Sequence, residues 1–278
     1  MEVSNFDLNY EELMNISRKI AEEASKELAK ISQDERSFEH LDKGKETIKA
    51  DKLSEDLIIE MLKNEGIRGT IVTEESEVIK EGNENIIAII DPLDGSKNYA
   101  RGIKWCSVSI AFAEQRGNGI NDIVAGTVKP VFFNESFSFY KRGGVFVNNE
   151  KYYIKKQPGI DKEKYYAVYF DNDNAIETVK NIREKLINRG YIATFRSLGS
   201  AALELALVSI GKIDGFIDAR SKLRIVDAAA GIGMIIENGG VVRGLDGEDF
   251  LDIDLKTMYR FKSLIALSSI EEARTVFG

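Results

Sequence analysis

One histidine, one cysteine and three prolines are all that the 278 residues contain of those types, and each shortage closes a line of chemistry. A single thiol, Cys106, can form no internal disulfide. With only His40 beside it, it cannot complete a Cys/His zinc site. His40 sits in the polar stretch "SFEHLDKGK", where an imidazole is expected to be a solvated loop group rather than a member of a Ser–His–Asp triad. No apolar run approaches the roughly 20 residues that a membrane span needs. The opening "MEVSNFDLNYEEL" lacks the basic-then-apolar layout of a signal peptide, so a cytoplasmic location is expected. Positive charge is also short: 38 Lys and Arg against 46 Asp and Glu give a net −8, which argues against nucleic acid or an anionic membrane as partner.

What remains is a globular mixture, 43% hydrophobic and 30% charged, whose chemistry must come from carboxylates, hydroxyls and cations. Residues 10–31 place Leu13, Ile16, Ile20, Ala24, Leu28 and Ile31 at helical spacing. A polar loop follows, then a second helix over 52–64 that stops at Gly66. Strand-like runs come next: "TIVT", "IIAII", "SVSIAFA", "IVAGTV", "ESFSFY", and a hairpin turning at Asn148-Asn149. These predict two helices followed by a mainly antiparallel sheet. After "KKQPG" strands alternate with helices (175–188, 199–210, 227–237 and a last one capped by Ser269), which predicts an α/β second half. The expected division is therefore 1–150 and 151–278.

The acidic residues gather at the ends of elements. Glu74 and Glu75 follow "TIVT", Asp91 and Asp94 follow "IIAII", Asp51 sits just before the second helix, and Asp227 opens the helix "VDAAAGIGMII". Singly, Asp51 and Asp227 read as ordinary N-caps. If the strands ending in Glu74 and Asp91 are neighbours, however, three or four carboxylates converge at one sheet edge and repel unless a cation lies among them. Oxygen-only donors point to Mg²⁺ or Mn²⁺, and paired ions of that kind serve phosphoryl chemistry. "DPLDGS" then reads as a tight turn, with Gly95 and Ser96 opening a short helix whose free N–H groups can hold a phosphate.

"TEES", "DPLDGS" and "VDAAAG", in that order, resemble the inositol monophosphatase family of lithium-sensitive, metal-dependent sugar phosphatases. The stretch from "RSLGSAALELALVSIG" to "VDAAAG" looks nearest to the archaeal branch, whose members act as both fructose-1,6-bisphosphatase and inositol-1-phosphatase. The resemblance implies a layered αβαβα sandwich, of mixed α+β and α/β class. It implies two to three Mg²⁺ ions, with Mn²⁺ as a substitute. Glu74, Asp91 and the Leu93 carbonyl would hold the first ion; Asp91, Asp94 and Asp227 the second; a third would lie near Glu74. Asp51 and Ser96 would orient and deprotonate the attacking water, Ser96 standing where Thr is commoner. Gly95 and Ser96 would grip the departing phosphate, and Asp94 would also touch substrate. Val226 replaces a Trp that precedes the metal-binding aspartate in many relatives. The loop "EHLDKGKETIKA", with Gly44 between Lys43 and Lys45, would close over the third ion.

Arg220 falls seven residues before Asp227, where inositol-selective relatives carry a glutamate. An arginine there suits a second anionic group, because its planar fork binds phosphate oxygens in pairs. Arg196 is expected to join it, with Ser200 and Ala201 lining the sugar, while Lys222 and Arg224 are left as neighbours of unassigned direction. The leading expectation is thus a fructose-1,6-bisphosphatase that also accepts inositol 1-phosphate. A nucleotidase for adenosine 3′,5′-bisphosphate or an NADP phosphatase is the alternative, with Tyr165, Tyr166 and Tyr169 as stacking candidates. A non-catalytic regulator is the alternative of another class. The resemblance also implies a homo-oligomer, for which "SVSIAFA" and "ESFSFY" are candidate interfaces that read equally as internal sheet.

Overall fold

In a computed structural model, residues 9–31, 38–40, 46–80, 86–154 and 162–277 are described; the Lys43-Gly44-Lys45 stretch and the "KKQPG" segment just past the expected division lie outside them. Helix α1 (Tyr10–Lys30) begins where the Asn9 side chain accepts the N–H groups of Glu11 and Glu12, and buries Leu13, Ile20, Ala24 and Leu28. Strands β1 (Phe38–His40) and β2 (Glu46–Ile48) pair with each other, so His40 lies in a strand and not in the expected loop. Helix α2 (Lys49–Asn64) starts three residues earlier than the sequence suggests, which puts Asp51 inside its first turn, buried, rather than at a cap.

The first large sheet contains β3 (Gly69–Thr73), β4 (Glu77–Lys80), β5 (Ile86–Asp94), β6 (Ser107–Glu114), β7 (Ile123–Pro130), β8 (Phe137–Tyr140), β9 (Gly144–Val147) and β10 (Glu150–Lys151). Its order is β10-β9-β8-β7-β6-β5-β3-β4, antiparallel except for the parallel pair β3–β5. A short helix, α3 (Ser96–Ala100), follows β5. The β9–β10 turn uses Asn148 and Asn149, both at positive φ, as the hairpin pattern predicts. β5 carries an unbroken apolar run because both of its faces are covered: Ile86, Ala88 and Ile90 join the core beneath α1 and α2, while Ile87 and Ile89 join the opposite core.

The second sheet contains β11 (Glu163–Tyr169), which is followed by α4 (Asp173–Asn188), β12 (Ile192–Arg196), α5 (Ala201–Ser209), β13 (Gly215–Asp218), α6 (Ile225–Glu237), β14 (Val241–Arg243), β15 (Leu264–Leu267) and α7 (Ile270–Phe277). Strand β11 is parallel to both β12 and β13, with β15 and β14 added antiparallel on the β13 side. Helices α5 and α6 are buried nearly all round because they lie between the two sheets. Small residues allow the approach: a Cβ on Gly233 would stand 2.0 Å from the Phe139 ring of β8. With α4 and α7 on the outer face of the second sheet, the layers run helix, sheet, helix, sheet, helix, the expected sandwich. Among the described residues no helix is long and apolar enough to cross a membrane.

Two expectations change. β6 is an inner strand, and both it and β8 are largely buried within this chain, so "SVSIAFA" and "ESFSFY" are internal sheet rather than an interface. "DPLD" is not a turn: β5 continues to Asp94, with a register irregularity between Asp91 and Asp94 where it faces β6. Pro92 is tolerated in a central strand because it falls at that bulge, where no regular ladder bond is lost.

Candidate active site

The parallel pairing of β3 with β5 sets Thr73 opposite Ile90, so Glu74 and Asp91 leave adjacent strands side by side. The sheet edge that the sequence required only conditionally therefore exists. The chain then reverses at Gly95, whose φ is +87°; a Cβ there would lie 3.0 Å from the Trp105 carbonyl oxygen and 3.1 Å from that of Gly199. Only glycine fits such a left-handed, crowded corner. Ser96 opens α3 immediately afterwards, and the first-turn amides of a helix have no partner within it. From α2, the Ser54 hydroxyl donates to the Pro92 carbonyl at 2.8 Å, which docks the helix bearing Asp51 against the bulge.

Asp91 is 1% exposed; its Oδ1 accepts the Leu93 N–H at 3.0 Å, and its Oδ2 is buried with no hydrogen-bond partner. Burial, followed by the charges of Glu74, Asp94 and Asp227, holds its carboxyl well above the usual range. Asp94 is pushed up to about 7, by burial first and then by Asp227, although two hydrogen bonds oppose the shift. Those bonds come from the Ser200 hydroxyl and from the Ala202 N–H at 2.9 Å, both made to Oδ2. Glu74 is raised mainly by burial as well.

Asp227 is the third residue of α6 rather than its cap, and its Oδ2 accepts the Arg224 N–H at 2.8 Å. The Arg224 guanidinium joins the two sides of the site. Its Nη1 donates to Glu74 Oε1 at 2.6 Å and its Nη2 to Asp227 Oδ1 at 2.7 Å. Burial works against this charge, but Asp227 and Glu74 more than offset it and hold the group above its ordinary value. Sequence reasoning left Arg224 unassigned. Its position three residues before a helix-opening aspartate was the available signal.

The residues expected to bind substrate lie at the carboxyl ends of parallel strands, where open α/β sheets place ligands. Arg196 ends β12, is exposed, and has its guanidinium carbon 5.6 Å from the centre of the Tyr165 ring. Arg220 follows β13 and is already engaged: its Nη2 donates to the buried Asp218 at 2.5 Å, and its guanidinium carbon lies 4.4 Å from the Tyr169 ring centre. Tyr169 in turn donates to Glu204 and accepts the Gly199 N–H at 3.0 Å. Glu204, buried and pushed up to about 7, accepts the Leu198 N–H at 2.9 Å. Asn98 Nδ2 adds 2.8 Å bonds to the carbonyls of Leu198 and Trp105. The "SLGS" loop is thus fixed between Gly95 and Arg220. Ser200 is fully buried and Ala201 nearly so, and Ser200 serves Asp94. Tyr166 and Tyr169 are also buried, which leaves only the half-exposed Tyr165 of the three stacking candidates.

The donor set suits a hard divalent cation: four carboxylates, three with raised affinity for protons, and one buried oxygen left unpaired. As the side chains stand, no three acidic, histidine or cysteine groups among the described residues are close enough to chelate one ion. Two of the four carboxylates are engaged by Arg224.

Known proteins resemble this chain along nearly its whole length. The model of the inositol monophosphatase family matches residues 9–274. An inositol-1-monophosphatase of Aeropyrum pernix is 38% identical over 261 residues, covering 92% of this chain and 93% of that one. A fructose-1,6-bisphosphatase/inositol-1-monophosphatase of Archaeoglobus fulgidus is 34% identical over 240 residues, 84% of this chain and 85% of that one. The crystal structure of the extragenic suppressor protein suhB from Bartonella henselae superposes with a TM-score of 0.76 at 28% identity, covering 95% and 96% of the two chains.

Proposed function

Because the chain belongs to the inositol monophosphatase family and is a phosphoric monoester hydrolase, we propose that it is a Mg²⁺-dependent phosphatase of fructose 1,6-bisphosphate and inositol 1-phosphate. The observation that carries this reading is the β3–β5 pairing, which gathers Glu74 with Asp91 and Asp94 opposite Asp227. Glu74, Asp91, the Leu93 carbonyl, Asp94 and Asp227 would hold two or three ions. When bound, such ions supply Lewis acidity to the phosphoryl oxygens and acidify a nearby water.

The remaining work falls to the chain's own groups. The Gly95 and Ser96 amides, presented by the left-handed corner and the start of α3, orient the phosphate being removed. Asp51, buried in the first turn of α2, takes the proton of the attacking water at its carboxylate, and the Ser96 hydroxyl orients that water. Arg220 and Arg196 receive the distal phosphate of a bisphosphate. The family dimer and a cytoplasmic location belong to the same proposal.

The test is phosphate release from fructose 1,6-bisphosphate, inositol 1-phosphate, adenosine 3′,5′-bisphosphate and NADP, with Mg²⁺, with Mn²⁺ and with EDTA. The expected result is turnover of the first two that EDTA abolishes. Preference for the two nucleotides would transfer the assignment to the alternative. No turnover of any would favour a regulatory binding protein.

A further inference from the structure

The engagement of Arg224 has a consequence for metal loading. Its guanidinium and backbone together occupy both oxygens of Asp227: Nη2 and Nε reach Oδ1 at 2.7 and 3.2 Å, and Nε and the backbone N–H reach Oδ2 at 3.2 and 2.8 Å. The other arm of the fork occupies Glu74 Oε1. The charge of Asp91 also favours the guanidinium. The anchor is firm. Arg224 caps α6, its backbone bridges Arg260, and the next residue donates to the Tyr259 carbonyl at 2.9 Å. Only the torsions of the long side chain are free to change.

We propose that Arg224 is a built-in cation that competes with the divalent ion for Glu74 and Asp227, so that metal loading requires its guanidinium to release carboxylate oxygens. This rests on the metal-site reading above and goes beyond it. A guanidinium carries one charge and donates hydrogen bonds, whereas the ion brings two charges and demands the same lone pairs. The two cannot share Asp227 in its present arrangement. Arg224 thereby balances the carboxylates while no ion is present and weakens the site for the ion that replaces it.

Calorimetric titration of Mn²⁺ and of Mg²⁺ into the EDTA-stripped, desalted protein tests this, using wild type, Arg224→Gln and Arg224→Lys. Removing a positive charge that contacts both Glu74 and Asp227 should tighten binding by about tenfold or more in the Gln variant. The metal-free Gln variant should also melt at a lower temperature than metal-free wild type. Lysine keeps the charge but lacks the fork, so its affinity should fall between the two. Equal affinities in all three proteins, or weaker binding in the Gln variant, would overturn the proposal. Absence of binding in all three would instead remove the metal site, and the proposal with it. Should the Gln variant fail to fold by circular dichroism, the Lys variant decides: binding no tighter than wild type counts against Arg224.

Discussion

Ser200 donates its hydroxyl to Asp94 across 106 residues of sequence, and the bond ties the end of β5 to the start of α5. Asp94 Oδ2 is thereby fixed by two donors, the Ser200 hydroxyl and the Ala202 amide. A carboxylate held in this way meets an ion or substrate without reorganising, which is what a preorganised site requires.

Ser200→Ala should leave the fold intact and cost about 1–2 kcal/mol in urea unfolding, the usual consequence of removing one partner of a buried hydrogen bond. Turnover should fall by about tenfold or more, because Asp94 keeps its amide donor but loses its lateral restraint. Unchanged kcat would show that Ser200 does not position Asp94.

Asp94→Asn removes a charge that the site holds at energetic cost. Turnover at saturating Mg²⁺ should drop by at least about a hundredfold. The metal-free protein should gain stability at neutral pH, since a buried carboxylate raised to about 7 no longer has to ionise. Near-normal activity would rule out its place in the metal cluster.

Glu204 gives a pH dependence of definite sign. Burial raises its carboxyl from 4.5 to about 7. Between those values the native state keeps a proton that the unfolded chain has released, so stability falls as pH rises through that window and levels off above it. The loss by neutral pH is on the order of 3 kcal/mol. Glu204→Gln retains an acceptor for Leu198 and a partner for Tyr169, so the fall in metal-free stability between pH 5 and 7.5 should shrink. Asp94, Asp91, Glu74 and Glu272, whose carboxyls burial also raises, sustain the part that remains. Urea midpoints at the two pH values measure this, and an unaltered slope would contradict it.

Arg220→Gln should reduce kcat/KM for fructose 1,6-bisphosphate by about tenfold more than for inositol 1-phosphate, through loss of a charge-assisted phosphate contact. Glutamine is a better replacement than glutamate because the buried Asp218 faces the guanidinium, and a second carboxylate there would destabilise the chain whatever its substrate. Equal losses on the two substrates would make Arg220 a partner of Asp218 alone.

Most elements were legible because their signals are local. Periodicity located α1, alternation located β8, and Asn148-Asn149 located the hairpin. The convergence of Glu74 on Asp91 was legible only as a condition, since strand neighbours are set by long-range packing. "DPLDGS" misled because Pro, Asp and Gly form turns in isolation, whereas here pairing with β6 at Asp91 and Asp94 carries the chain extended through a bulge. Asp51 and Asp227 looked like caps because a helix start is blurred by about two to four residues in sequence. Arg224 was marked only by its spacing before Asp227, and Glu204 and the engagement of Arg220 by Asp218 were not legible. Each depends on side chains that meet only after the layers have closed.

The sandwiched position of α6 bears on refolding. Asp227 rides on a helix that touches both sheets, while Glu74, Asp91 and Asp94 belong to one of them. No fragment lacking either sheet gives that helix both of its supports. Catalytic competence should therefore return only when both sheets have packed on α6. The distance in sequence between the groups that must meet turns enzymatic activity into a stringent reporter of complete folding.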